Sequence, residues 1–160
     1  MRKILFIFSF CFLCFGCATT STNYADITTR EARVFNFSGI SQTELFIRTN
    51  LWFVQSFKSA NAVVEFSDKD TGTLAGKFIT NQLVTGTLLG PDKVKYIVLV
   101  NVKDNAIRFT LQVAEVGVLQ RYGHLWRTPT EYEFKKINLK KTTDVISNEF
   151  INFVKSYKEF

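Results

Sequence analysis

Residues 41–57 read Ser-Gln-Thr-Glu-Leu-Phe-Ile-Arg-Thr-Asn-Leu-Trp-Phe-Val-Gln-Ser-Phe, and this stretch constrains the fold more than any other. Ser41 with Glu44 three places on is a capping box, in which each side chain serves one orphan amide of a helix start. Leu45, Trp52 and Phe53 fall together on a 3.6-residue period, and Leu51 widens the stripe. Arg48, Thr49, Asn50 and Gln55 dilute that pattern without breaking it. A helix this apolar needs a sheet to lie on.

The flanking chain supplies one. Residues 31–38 carry Val34, Phe35 and Phe37, a first strand, and Gly39 ends it. After the helix, Lys58-Ser59-Ala60-Asn61 mark its end, with a cation near the negative end of the dipole. Residues 62–67 place Ala62, Val64 and Phe66 on one side. Asp68-Lys69-Asp70-Thr71-Gly72 is a turn in which glycine provides positive φ, so residues 73–83 return as a hairpin. Residues 84–93, with Gly86, Gly90 and Pro91, read as a loop whose Leu88 and Leu89 tuck back.

Residues 94–103 hold Tyr96, Val98, Val100 and Val102 on one face and Ile97 and Leu99 on the other, as an interior strand would. Asp104-Asn105 is a tight turn. Residues 106–116 then alternate: Ile107, Phe109, Leu111 and Val113 on a dry face, Arg108, Thr110 and Gln112 on a wet one. One wet and one dry face are expected of an antiparallel sheet. Residues 118–141, interrupted by Gly123 and Pro129, read as irregular, with Tyr132 and Phe134 in a short edge strand. Thr142, Thr143 and Asp144 offer caps for a second helix whose stripe is Val145, Ile146, Phe150, Phe153, Val154 and Tyr157. The order is α+β, with both helices on one face of the sheet.

The first positions are an address rather than fold. Of the 17 phenylalanines in 160 residues, five lie in the first fifteen. Arg2 and Lys3 precede an apolar run over residues 4–15 broken only by Ser9. That run is too short to span about 30 Å of hydrocarbon, and it suits an export signal over residues 1–16. Cys11, Cys14 and Cys17 all lie within or at the end of it, so the body carries no thiol, disulfide or thiolate metal site. Leu13-Cys14-Phe15-Gly16-Cys17 resembles a bacterial lipobox, which makes Cys17 the lipid attachment residue. A plain cut after Ala18 is the competing reading.

By the same resemblance, Ala18 after the cysteine favours the outer membrane facing the periplasm. Residues 17–30, rich in Thr, Ser and Asn, are then a tether, and residues 31–160 the domain. More than one acyl chain anchors stably. Loss of Arg2 and Lys3 takes 20 basic side chains to 18 against 14 acidic, a mild excess. With 46% hydrophobic residues the chain can build a core without staples.

The quoted residues resemble a known family. Ser41-Gln42-Thr43-Glu44-Leu45-Phe46, Trp52, Phe57-Lys58-Ser59 and Val63-Val64 are similar to the first half of the domain of unknown function numbered 4468. Asp68, Gly72-Thr73-Leu74-Ala75-Gly76-Lys77, Tyr96-Ile97 and residues 102–109 (Val-Lys-Asp-Asn-Ala-Ile-Arg-Phe) match its second half. Phe78 stands where the family often has glycine. The resemblance covers about residues 35–113. It implies a TBP-like fold: a curved antiparallel sheet of about five strands with two helices on one face. Members are commonly exported bacterial proteins with lipoprotein leaders, and no activity is implied.

Chemistry is sparse. His124 is the one histidine, beside Arg121 and Arg127, and reads as a surface residue rather than a general base. Without body cysteines or a second histidine, no metal and no other cofactor is expected. Asp68, Asp70 and Gly72 have part of a calcium loop, but Lys69 intervenes and the closing glutamate is missing. Gly72 to Lys77 is too short for a P-loop. Asn36-Phe37-Ser38 is a chance glycosylation match inside a strand, and Trp52 reads as core.

Arg121, Arg127, Lys135, Lys136, Lys140 and Lys141 form a basic region. It is a solvated surface or a patch for an anionic partner. The expectation is therefore a non-enzymatic envelope module, held to the membrane by its lipid, with an envelope protein or an anionic surface as partner and no nucleic acid. The alternatives are a polyanion or nucleic-acid binder acting through the basic region, and a hydrolase using carboxylates such as Glu65 and Asp68. The fold's namesake binds nucleic acid, but fold does not fix function.

Overall fold

The computed structural model describes residues 29–57, 62–81 and 92–157. The leader, Cys17, most of the tether, the helix end at Lys58-Ser59-Ala60-Asn61 and most of the loop over residues 84–93 lie outside the described residues. The elements run β1 (Arg30–Asn36), α1 (Gln42–Ser56), β2 (Ala62–Asp68), β3 (Thr73–Asn81), β4 (Lys93–Lys103), β5 (Ala106–Gln120), β6 (Gly123–Arg127), α2 (Glu131–Lys136) and α3 (Leu139–Ser156). The strands form one antiparallel sheet in the order β1-β5-β4-β3-β2, and β6 pairs β5 beyond the end of β1. The class and the five main strands are as expected; the order of strands in the sheet comes from the structure, and β6 and α2 are additions.

The period-2 pattern of β4 and β5 sets which face is covered. Val98, Val100 and Val102 in β4 and Ile107, Phe109 and Leu111 in β5 are essentially buried beneath α1 and α3. Trp52 of α1 is the hub: its ring meets Phe53, Phe109 and Phe150 edge-on at 5.2, 6.2 and 5.0 Å. Such tilted aromatic pairs satisfy the ring quadrupoles while removing large apolar areas from water. Trp52 is core, as its spacing suggests, yet its indole N–H finds no acceptor among the described residues.

Several expectations need correction. Only half of the capping box at Ser41 forms. Ser41 Oγ accepts the Glu44 N–H at 3.3 Å, but the Glu44 carboxylate turns to Arg48 at 2.6 Å, one turn along the helix. The complete box is at α2, where Thr130 and Glu133 serve each other's backbone amides.

Residues 118–141 are ordered rather than irregular. β5 runs on to Gln120, and the β5–β6 hairpin turns at residues 121–122, followed by Gly123 with φ +133°. Tyr132 and Phe134 lie in α2, not in an edge strand. The second long helix begins at Leu139, capped by Asn138 Oδ1, three residues before Thr142. Asp144 is left to bind Arg33 of β1, and Val145 is 60% exposed instead of joining the stripe.

β2 also departs from its reading. A bulge between Val64 and Phe66 shifts the register, so Val64 and Phe66 fall on opposite faces. Val34 of β1 likewise points to the uncovered face and is 62% exposed.

Candidate functional site

The face of the sheet away from the helices carries cross-strand rows set by the pairing register. One runs Arg30, Gln112, Ile97, Lys77. The next is Ala32, Thr110, Leu99, Ala75, Phe66, and the third Val34, Arg108, Asn101, Thr73, Asp68. Ile97 and Leu99 are half-buried, while Phe66 is 50% exposed. An apolar centre thus lies between polar rows. Arg30, Lys103 and Arg108 make no ion pair or hydrogen bond through their side chains with the described residues, whereas Lys77 is held by Glu65 at 2.6 Å. Towards the β4–β5 turn a hollow of about 410 Å³ opens, lined by Val34, Thr71, Asn101, Lys103, Ala106 and Arg108 among others.

The carboxylates considered for hydrolysis do not converge. Glu65 is committed to Lys77. Asp68 accepts the N–H groups of Asp70 at 2.9 Å and Thr71 at 3.4 Å. The Thr71 hydroxyl and then these amides hold its carboxyl below the usual range. A general acid requires the opposite shift. Asp68 therefore belongs to the turn, and Gly72 to Lys77 to the turn and returning strand of the β2–β3 hairpin. Among the described residues no three His, Cys, Asp or Glu side chains form a metal-holding group.

His124 has a partner that sequence spacing does not reveal. Its Nε2 lies 3.0 and 3.1 Å from the two oxygens of Asp92, and only Oδ2 is aligned for a hydrogen bond. His124 holds the Asp92 carboxyl below its ordinary range. Asp92 also donates its N–H to Gly117 O at 3.1 Å, so the dyad fixes the start of β4 beside the hairpin. Lys95 sits 4.4 Å from the centre of the Trp126 ring and pairs with Glu115. Because Gly117 has no side chain, the Trp126 ring can pack there; a Cβ would meet it at 3.2 Å. These contacts order the hairpin.

The basic region is divided by the fold. Arg127 makes two bonds to Glu133, at 2.6 and 2.8 Å, and Lys135 pairs with Glu131 at 2.7 Å. The Arg127 guanidinium is the main reason the Glu133 carboxyl lies below its usual value. Lys136 and Lys141 line a cleft of about 510 Å³ with Thr80, Asn81, Asn138 and Ile146. The motif Thr-x-x-Glu at 130–133 was the sequence signal for α2 and for the glutamate that Arg127 needs.

Some of the residues quoted for the family resemblance, Gln42, Gly72, Val102, Asp104 and Asn105, meet at one pole of the sheet. Asp104 Oδ1 accepts the Gln42 N–H at 2.7 Å, Asn105 Oδ1 accepts Ile40 N–H at 3.1 Å, and Gly72 O accepts Val102 N–H at 2.7 Å. Their work is to lock three turns together.

Comparison with known proteins agrees. A family model described as domain of unknown function (DUF4468) with TBP-like fold matches residues 32–115. A TBP-like protein from Parabacteroides distasonis ATCC 8503 superposes with a TM-score of 0.62 at 13% identity, covering 81% of this chain and 94% of the other. A DUF4468 family protein from Bacteroides ovatus ATCC 8483 gives 0.54 at 17% identity, covering 81% and 86%. No curated protein matches the chain. With the match spanning over half its length and the same sheet and helices in place, this chain belongs to the DUF4468 family of TBP-like domains.

Proposed function

We propose that this domain is a non-enzymatic binding module of the cell envelope, anchored through lipid on Cys17 to the outer membrane on its periplasmic side, and that it holds an acidic protein on the uncovered face of its sheet. The observation that carries the reading is the pairing on that face of an apolar centre with cations that have no partner among the described residues. Phe66, Ile97 and Leu99 provide area to bury, and Arg30, Lys103 and Arg108 select negative charge around it. Apolar anchors inside a charged rim are how protein interfaces divide affinity from specificity. The leader and tether supply the address, since a thiol-free domain behind a lipobox-like sequence suits the envelope.

Photo-crosslinking in intact cells tests it, with a benzophenone side chain at Leu99 and a control at Asn148 on the exposed side of α3. The Leu99 probe is expected to yield a discrete adduct with an acidic envelope protein, absent from Asn148 and lost with Lys103→Glu and Arg108→Glu. Identical adducts from both positions would reject the uncovered face as the docking surface. Cys17→Ala is expected to move the protein out of the membrane fraction.

A further inference from the structure

The strands define two poles. One holds the interlocked turns at Gly72 and Asp104-Asn105. The other holds Asn81, Lys93, the N-terminus of α3 and the tip of the β5–β6 hairpin. The chain enters the sheet pointing from this second pole, because β1 runs antiparallel to β5 and Thr29 O accepts the Val113 N–H at 3.0 Å. The described chain therefore begins on the hairpin side.

The hairpin tip is unusual for a solvated turn. Tyr122 is 93% exposed, Leu119 66% and Leu125 51%, with the Arg121 guanidinium 5.8 Å from the Tyr122 ring centre. Charge is one-sided here too. The acidic groups Asp92, Glu115, Glu131 and Glu133 are each engaged by His124, Lys95, Lys135 or Arg127. Lys93, Arg121, Lys136, Lys140 and Lys141 make no ion pair with the described residues.

We infer that the β5–β6 hairpin tip rests on the bilayer surface, with Tyr122 and Leu119 at headgroup level and the surrounding cations facing anionic lipid. This rests on the lipid-anchored reading above. Tyrosine favours this interface because its ring is apolar and its hydroxyl wet. Cations near an anionic leaflet are attracted within about a Debye length. Chain lengths agree. From Cys17 to Thr29 the tether can reach about 40 Å, and from Val113 the strand runs about 25 Å on to the tip. A lipid at residue 17 can therefore lie in the same plane as the tip. The uncovered face and the interlocked turns then stand away from the membrane, free for a partner.

The test uses the full, processed chain in vesicles. Gln120→Cys and, separately, Asp70→Cys at the opposite pole carry bimane, and lipid with a headgroup nitroxide is the quencher. With phosphatidylglycerol present, quenching at position 120 is expected to exceed that at position 70 at least threefold. It should fall at least twofold when Arg121→Gln and Tyr122→Ser are added, and weaken in zwitterionic vesicles. Equal quenching at the two poles, or no effect of the double substitution, would overturn the inference. The intact mass of the N-terminal peptide reports separately on the anchor. If Cys17 proves free, quenching at position 120 in anionic vesicles still judges the hairpin contact.

Discussion

Asp104 Oδ1 accepts the backbone N–H of Gln42 at 2.7 Å, so a turn between two strands caps a helix 62 positions earlier in the chain. Glu44, which the local sequence assigns to that end of the helix, is engaged by Arg48 instead. Arg48 reaches further, giving Nη1–H to Val154 O at 3.1 Å near the end of α3, where a cation meets the negative pole of the helix. Capping here is a tertiary matter. Asp104→Ala is expected to cost about 1 kcal/mol, measured as a lower urea midpoint with an unchanged m-value.

Gly72 and Gly39 both have positive φ, at +66° and +73°, and they should respond differently to alanine. A Cβ at Gly72 would stand 2.3 Å from Val102 O, whereas at Gly39 nothing lies within 4 Å. Gly39→Ala should cost about 1 kcal/mol from backbone strain alone. Gly72→Ala should cost about 3 kcal/mol or more, since the Gly72 O to Val102 N–H bond must also give way. Thermal denaturation of the two variants side by side checks the order.

Trp52 leaves its buried N–H unmatched among the described residues. Trp52→Phe keeps most of the ring contacts and removes a group whose burial costs about 1–3 kcal/mol. The variant should lose less than about 1.5 kcal/mol. Trp52→Ala, which empties the aromatic hub, should lose about 3–5 kcal/mol. Equal losses in chemical denaturation would show that the indole N–H is satisfied.

Glu133, 7% exposed, joins β6 to α2 through Arg127. Its carboxyl is held below its ordinary value, first by Arg127 and then by Thr130. The stability it contributes is therefore fully present above the unfolded-state value. It is lost as pH falls below the ordinary glutamate range and through the lower folded value. Glu133→Gln should be about 2 kcal/mol less stable at pH 7, with a flatter decline over that window. Unfolding followed at pH 3, 4, 5 and 7 separates the two curves.

The sequence by itself determined what local periodicity can encode. The 3.6-residue stripe through Leu45, Trp52 and Phe53 made α1 legible, and the alternation from Ile107 to Val113 made β5 legible. The Asp68–Gly72 turn announced the β2–β3 hairpin. Each signal is carried within a few residues, and the family motif followed from their order. β6 was hidden because a five-residue strand holding His124, Leu125 and Trp126 has no clear dry face; it exists by pairing with β5. α2 is short enough that its cap and Arg127 matter more than any stripe.

Tertiary structure alone decided which charges are spoken for. Arg33 meets Asp144 across 111 positions, and His124 meets Asp92 across 32. Composition can count cations, but only the fold leaves Arg108 and Arg121 facing outward while it sets Arg33 against Asp144; the Lys135–Glu131 pair, by contrast, is one helical turn within α2. An ion pair depends on a few ångströms of separation, and for partners on different elements, such as Arg33 and Asp144, that separation is set by strand register and helix placement, not by spacing along the chain.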